Sequence, residues 1–528
     1  MQLVPGELDG VARLPGEPAH VSAAGVTRSG ARLQTIENPT PFASGTRRRL
    51  AIVADDERAA RATIAALRWF KTGAPRALRD RWEISAVLAG YMNDATPAQR
   101  LEFPPDKGFF DHPGQPESRY VWRWAAYQAP DVLLQIRGGD VLSVASPPPR
   151  SVAAAMAGGS EIGTVRAIFG TAREADGAAL LQSVLKDAAD VPRSEIHTTL
   201  VSRAARHPLA IAQTLAPIYP QTPGVSYIPS VAWANTLRLA DATNDASLRQ
   251  KVIDHTRPWV AGERPLFGER IPLTAVAGTL IYAELARRGV DAARPLALKG
   301  AEEASRVGQT GYALQGQGWT DDMFMMAAIL ARTGMMPERS RDLDHLATML
   351  ISYATRLQRP DGLFVHFTDG RVPWGRGNGF AILGLAEALT AMPAAHPSRG
   401  RILEIYRRSM TGMTSMQAPD GMWRQVVDEP GAYRELSVTA MTIAAMARGI
   451  RLGWLDRKPF RPTVDRAWRA LAAHITGDGG IVDICTSTGS QPTVRHYLDR
   501  PAVSGFDDRG GAMALVASIE MYELARAV

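Results

Sequence analysis

Two adjacent carboxylates, Asp321 and Asp322, stand just before a long apolar run in Gly318-Trp319-Thr320-Asp321-Asp322-Met323-Phe324-Met325-Met326. The run from Met323 to Leu330 reads as a buried helix, and Thr320 is placed to cap it, so both aspartates fall in its first turn. Successive helical residues point about 100° apart, so the pair cannot face one target. One is free to meet a cavity while the other caps or meets solvent. A carboxyl poised near the working pH can give up a proton and take it back. Acidic residues are also ordinary in first helical turns, where they offset the helix dipole. On spacing alone that structural role stands beside the catalytic one.

Three more clusters carry candidate chemistry. Gly362-Leu363-Phe364-Val365-His366-Phe367 leads to Pro373-Trp374-Gly375-Arg376-Gly377-Asn378-Gly379-Phe380. Three glycines in five residues are costly in a helix and let backbone approach a ligand. Trp374 offers an apolar face and Arg376 a two-pronged donor for a carboxylate, which together suit an acidic sugar. A structural ion pair is the other use of Arg376. The next cluster, Asp420 to Gln425, is followed by Tyr433 to Met441. Trp423 and Tyr433 are candidates to line a pocket, and Ser437 is a candidate helix cap. Glu435 is either a second carboxylate or a cap. The last cluster, Gly505-Phe506-Asp507-Asp508-Arg509-Gly510-Gly511, closes a loop onto the final helix. His366 and His496 are isolated, so no metal is expected, and no nucleophile elbow is present.

The elements that must position these residues are helical. From about Ser202 amphipathic segments recur: Ala232 to Ala240, Leu273 to Arg288, Met323 to Arg332, Leu343 to Leu357, Gly379 to Ala391, Arg401 to Met416, Ser437 to Leu452, Val464 to His474 and Gly511 to Ala527. The similar turns Arg359-Pro360-Asp361-Gly362 and Ala418-Pro419-Asp420-Gly421 each follow a helix and lead to an aromatic, Phe364 or Trp423. This is the rhythm of stacked helical hairpins with functional residues on loops at one end.

Upstream the texture differs. Residues 1–45 are rich in Gly and Pro and read as an arm. Residues 46–204 read as a smaller α/β domain, with strands at Arg49 to Ala54, Trp82 to Gly90 and Val132 to Ile136 and a helix from Asp55 to about Phe70. No glycine-rich phosphate fingerprint follows the first strand. The stretch from Phe103 to Asp131 resembles a zinc-carboxypeptidase-like sheet domain, which would put Asp56-Glu57 at a metal-binding turn. The accompanying histidine is missing, so a structural or substrate-shaping role is expected there instead of peptidase activity.

At 528 residues, 45% hydrophobic and 21% charged, the chain is expected to fold as two domains. No apolar run reaches the roughly 20 residues that span a bilayer. Met1 to Ala24 lacks a signal-peptide pattern, and the single cysteine, Cys485, excludes an intrachain disulfide. These features favour the cytoplasm, or the periplasm if a leader has been removed. The net charge of +7 suits an anionic ligand, but the only basic run is Arg47-Arg48-Arg49, and no nucleic-acid or membrane partner is expected. Nothing specifies an oligomeric state.

Taken in order, the C-terminal clusters resemble the unsaturated glucuronyl and rhamnogalacturonyl hydrolases, glycoside hydrolase families 88 and 105 and closer to the latter. The matching motifs are Trp-x-Asp-x-x-x-Met (Trp319, Asp321, Met325), Gly-Leu-Phe-x-His (Gly362 to His366) and Trp-x-Arg-Gly-Asn-Gly (Trp374 to Gly379). Gly-x-Trp-x-Gln (Gly421 to Gln425) and Tyr-x-Glu-x-Ser-x-Thr-Ala-Met (Tyr433 to Met441) follow. The resemblance covers residues 205–528. It implies a mainly α fold, a six-hairpin (α/α)6 toroid preceded by the α/β domain, working without a cofactor. The implied substrate is an acidic oligosaccharide ending in a 4,5-unsaturated uronic acid, protonated at C4 and hydrated at C5. Asp321 takes the place of the essential acid. Trp319, His366, Trp374, Arg376, Asn378, Trp423, Gln425, Tyr433 and Glu435 fall on positions expected to bind substrate, and Asp322 is the neighbour not expected to carry the proton.

One departure stands out. Relatives carry another aspartate at an earlier helix start, where this chain has Arg270-Ile271-Pro272-Leu273-Thr274-Ala275-Val276-Ala277-Gly278, and Glu269 is near but shifted. This leaves two alternatives: a β-glucuronidase-type hydrolase of saturated uronides, pairing Asp321 with Glu435 or Glu269, or a non-catalytic carbohydrate-binding toroid. A carboxylate separation of about 5–5.5 Å would suit retention, and roughly 6.5–9.5 Å inversion.

Overall fold

The structure is a computed structural model that describes residues 6–16, 18–88, 103–105, 116–308 and 313–527. The expected end of the second strand at Gly90, and residues 106–115 of the carboxypeptidase-like stretch, lie outside the described residues.

The N-terminal sheet is built on β3 (Arg48–Ala54), an apolar, β-branched strand of the kind that suits burial on both faces. It pairs in parallel with β4 (Trp82–Leu88) and β5 (Val132–Gly138), and β5 pairs in parallel with β7 (Arg166–Ala172). Antiparallel strands finish both edges. β6 (Ser143–Ala145) lies on β7, while β1 (His20–Val26) and β2 (Arg32–Glu37) form a hairpin that joins β4. The segment expected to be an arm is therefore part of the sheet. Its partners are distant in sequence, so local patterning gives little sign of it.

Period-2 alternation along β3 divides the core. Leu50, Ile52 and Ala54 face the helices Glu57–Thr72 and Gly177–Asp187 in one apolar cluster. Ala51 and Val53 face the other way, into a cluster that continues through the helix Pro116–Tyr127 into the C-terminal helices. The two parts of the chain thus share a core. Asp56, expected near a metal-binding turn, caps the helix Glu57–Thr72 by accepting from Ala59 N.

In the C-terminal part an inner set of helices packs in succession. Tyr227–Thr243 meets Leu273–Gly278 and Leu280–Arg287, and these meet Thr320–Thr333. Then come Gly375–Ala391, Leu436–Arg451 and Asp508–Arg526, which returns to Tyr227–Thr243. Inner helices are buried nearly all round, as Thr320–Thr333 shows. Outer helices bury one stripe, as Arg341–Leu357 does with Leu343, Leu346, Leu350, Tyr353 and Leu357. Leu273 to Arg288 is divided in two at Thr279, and a strand pair, β8 (Ile481–Cys485) with β9 (Ala502–Gly505), appears between the last two expected helices, where no strand was expected.

The glycines of Gly375-Arg376-Gly377-Asn378-Gly379 serve helix packing. A Cβ at Gly377 would lie 2.4 Å from Thr320 Oγ1, and one at Gly379 would lie 2.9 Å from Met441 Cε. The close approach expected toward a ligand is made between helices instead.

The C-terminal ends of the inner helices meet in an alternating chain of charges. Arg238 contacts Glu520 at 2.9 Å, Glu520 contacts Arg448 at 2.6 Å, and Arg448 contacts Glu387 at 2.7 Å. Glu387 in turn meets Arg332 at 2.8 Å, and Arg332 meets Glu284 at 2.9 Å. Their N-termini gather at the opposite end, where partial positive helix charge converges. Among the described residues no helix is long and apolar enough to cross a membrane.

Candidate active site

The helix carrying Asp321 begins at Thr320, with Trp319 in the capping position at extended backbone angles and without a side-chain cap bond. Thr320 is therefore inside the helix, one residue later than its expected capping role requires. Its N–H donates to His366 O at 3.1 Å, which ties the helix start to the 362–367 loop. Asn378 secures that loop from the other side: its Oδ1 accepts from Phe364 N at 2.7 Å, and its Nδ2 donates to Phe364 O at 2.8 Å.

These ties bring His366 against Asp321. His366 Nε2 lies 3.1 Å from Asp321 Oδ2, and His366 Nδ1 lies 2.8 Å from Tyr497 Oη. Tyr497 Oη accepts from Gln491 N at 3.1 Å, and burial pushes its phenol up to about 12, so it stays protonated. The phenol proton is then available to His366 Nδ1, and the consistent tautomer places the Nε2 hydrogen toward Asp321. The imidazole packs against Trp374 at 4.7 Å and Trp319 at 5.3 Å between ring centroids. The Asp321 side chain is 22% exposed, and its Oδ1 has no hydrogen-bond partner among the described residues. One carboxyl oxygen is held while the other is open, the arrangement a proton donor needs.

Asp322 points the other way. Its Oδ2 accepts from Tyr353 Oη at 2.8 Å, Gly318 N at 2.7 Å and Gln317 N at 3.0 Å. Burial pushes it up to about 7, and the charge of Asp321 adds to that rise against the lowering effect of the Tyr353 hydrogen bond. A carboxyl raised in the fold contributes stability below its folded value, and that contribution fades as pH climbs through it. The melting midpoint of wild type relative to Asp322→Asn is therefore expected to fall between pH 5 and pH 8 and to level off above. A gap that does not change with pH would contradict this.

The remaining candidates lie within the protein framework. Arg376 is 2% exposed and donates to Ser437 Oγ at 2.9 Å, to Ser487 Oγ at 2.7 Å, to the Cys485 carbonyl and to Glu435 at 3.4 Å. Burial alone would lower its pKa, but the charge of Glu435 holds it above the ordinary value. The guanidinium expected to meet a substrate carboxylate is thus occupied by protein groups. Glu435 is fully buried, caps Leu436–Arg451 through Val438 N at 2.8 Å and accepts from Cys485 N at 3.1 Å. Trp423 Nε1 donates to Met413 O, Gln425 Nε2 donates to Tyr497 O at 2.7 Å, and Tyr433 lies under Arg123. At the helix start where relatives are expected to carry a second aspartate, Pro272 stands before Leu273–Gly278 without a side-chain cap bond, and Glu269 is exposed in the loop before it.

Two residues the sequence did not single out, Tyr497 and Tyr227, complete the site together with Arg509 of the Gly505-to-Gly511 cluster. The Tyr227 ring stands edge-on to Phe324 and Phe380, and it is within electrostatic reach of Asp321, Arg376, Arg509 and Asp507. Arg509 donates to Thr486 O at 2.5 Å, and Arg500 donates to Ser487 O at 2.6 and 2.9 Å. Two more guanidinium groups thus gather at the turn that holds Arg376.

The family model described as Glycosyl Hydrolase Family 88 matches residues 210–525. The chain belongs to this family. Among curated relatives, the family 88 part is similar to the unsaturated 3S-rhamnoglycuronyl hydrolase of Alteromonas sp. (strain LOR), 27% identical over 177 residues, 31% of this chain and 42% of that protein. It is also similar to the unsaturated rhamnogalacturonyl hydrolase YesR of Bacillus subtilis (strain 168), 24% identical over 198 residues, 36% of this chain and 56% of that protein. The chain thus spans about half the length of these two relatives. Its fold is similar to that of a possible GH105 family member from Salmonella enterica serovar Paratyphi A, with TM-score 0.54 at 18% identity, covering 63% of this chain and 95% of that one. It is likewise similar to a family 105 glycoside hydrolase of C. acetobutylicum ATCC 824, with TM-score 0.53 at 20% identity, covering 60% and 98%. None of these four matches covers more than 63% of this chain, consistent with a family model that begins at residue 210.

Proposed function

We propose that this family 88 chain is a glycoside hydrolase that releases a terminal 4,5-unsaturated uronic acid from lyase-generated acidic oligosaccharides. The observation that carries this reading is the Asp321–His366–Tyr497 arrangement, with one aspartate oxygen held, the other open, and Tyr227 within electrostatic reach. Asp321 protonates C4 of the enol ether, and positive charge develops at C5 and the ring oxygen. The aspartate, now a base, takes a proton from the water that adds at C5. The hemiketal opens and the aglycone leaves. Arg500, held by the Ser487 carbonyl, offers a cationic group for the uronate carboxylate, whereas Arg509 is paired with Asp507; the converging helix N-termini add to the attraction.

A single working carboxyl suits hydration better than two-carboxylate hydrolysis. Glu435 is enclosed by its own partners, and Glu269 is exposed in a loop. The relatives named as unsaturated rhamnoglycuronyl and rhamnogalacturonyl hydrolases support the same substrate class. We read the helices between 208 and 526 as six hairpins of an (α/α)6 toroid, with residues 46–204 as an added domain. The test follows ultraviolet absorbance of the unsaturated uronate across a panel of lyase-digested acidic polysaccharides. At least one member should lose its absorbance, and a panel left unchanged would refute the reading.

A further inference from the structure

The family model begins at residue 210, so the N-terminal sheet domain is an addition to the helical body. Three of its contacts with that body lead toward one side chain. The side chain is Tyr497, which holds His366 Nδ1 at 2.8 Å.

Three connections lead there. The short helix Val494–Leu498 carries Tyr497, and Arg495 on the same helix donates through Nη1 to the carbonyls of Thr27 at 3.2 Å and Arg28 at 3.1 Å, at the β1–β2 turn. Arg495 is also paired with Asp499 at 2.8 Å, one turn along the chain. The second connection runs through Arg424, which donates to Ser22 Oγ in β1 at 2.9 Å. Its neighbour Gln425 reaches the Tyr497 carbonyl at 2.7 Å. The third is a buried ion pair, Arg123 of the helix Pro116–Tyr127 with Asp483 of β8, at 2.8 Å and with both side chains under 10% exposed. β8 and β9 are the two ends of the segment 481–505, which holds the Arg376-binding turn, the Gly489 contact with Trp319, and Tyr497 itself.

We infer that the N-terminal domain is a brace for the catalytic pair: through Arg495, Arg424 and Arg123 it fixes the 481–505 segment, so that Tyr497 holds the His366 ring against Asp321. Arg495 is a positioning residue that touches no substrate. Buried charge pairs and donors aimed at specific carbonyls set geometry more than they add stability, and small displacements at a reacting centre cost rate. The kinetic consequence rests on the proposed activity, whereas the geometric one does not.

The experiment uses the full chain with its histidine rings carbon-13 labelled, in wild type, Arg495→Ala, Arg495→Lys and Tyr497→Phe. The first readout needs no substrate. In Arg495→Ala the His366 ring resonance should move toward its position in Tyr497→Phe, and Arg495→Lys should bring it part of the way back. The second readout is turnover on an unsaturated oligosaccharide, where Arg495→Ala should lower kcat about tenfold with KM within about twofold of wild type. A His366 resonance unmoved in folded Arg495→Ala overturns the brace. A resonance that moves in a protein whose wild type turns over no unsaturated uronide supports the brace and sinks the proposed activity instead.

Discussion

Asp321→Asn is expected to lower turnover about a thousandfold or more while leaving the protein folded. The substitution is close to isosteric, and the site is at a helix start with a side chain 22% exposed, so no core packing is lost. An amide oxygen can still accept from His366 Nε2, now 3.1 Å from Oδ2, which keeps the local geometry. What the amide cannot do is deliver a proton to C4 and recover one from water. The check is kcat on an unsaturated substrate alongside the melting curve of the same preparation. Near-wild-type turnover in a folded variant would remove Asp321 from the chemistry. Asp322 cannot take its place without breaking its bonds to Tyr353 and to the Gly318 and Gln317 amides.

The second large effect concerns stability. Glu520 is fully buried and contacts Arg238, Arg448 and Arg451. Burial alone would raise its pKa, yet these arginines hold it well below the carboxylate range. Glu520→Gln keeps the shape and removes the charge, leaving several guanidinium groups short of their counterion. Breaking a buried ion pair from one side typically costs about 3–5 kcal/mol, much of it from the charge left uncompensated. Urea denaturation should show the midpoint falling accordingly. A shift below about 0.5 kcal/mol would mean that water reaches these charges and screens them as on an open surface.

The helix of Asp321 could be read from the sequence because burial on all sides makes its apolar run continuous, and its start carries the paired acids. Outer helices with a clear stripe, such as Arg341–Leu357, were equally legible. Ala246–Val260 was not, since Pro258 stands inside it and its exposed face is polar. The β1–β2 hairpin was missed for a different reason. Its place depends on β4, some fifty residues away, and β-pairing of that kind leaves no local signature.

Within the site, Asp321 and His366 came from motif order, but their contact spans 45 residues and the one between His366 and Tyr497 spans 131. No spacing rule reaches that far. The same limit explains Arg376. An exposed fork and a buried partner of Glu435, 59 residues on, look alike in sequence, and only packing separates them. The Trp-x-Arg-Gly-Asn-Gly motif therefore holds the framework around His366 through Asn378 and Trp374.

The most direct test of hydration is to let the wild-type chain act in deuterated water on a lyase-generated disaccharide that carries an unsaturated terminal uronate. The products are then followed by proton and carbon NMR. Protonation at C4 followed by hydration predicts one deuterium at C4 of the released sugar, gained as the vinyl signal disappears and the aglycone appears. Aglycone released with the C4=C5 double bond intact, or a sugar freed with no deuterium at C4, would contradict the account.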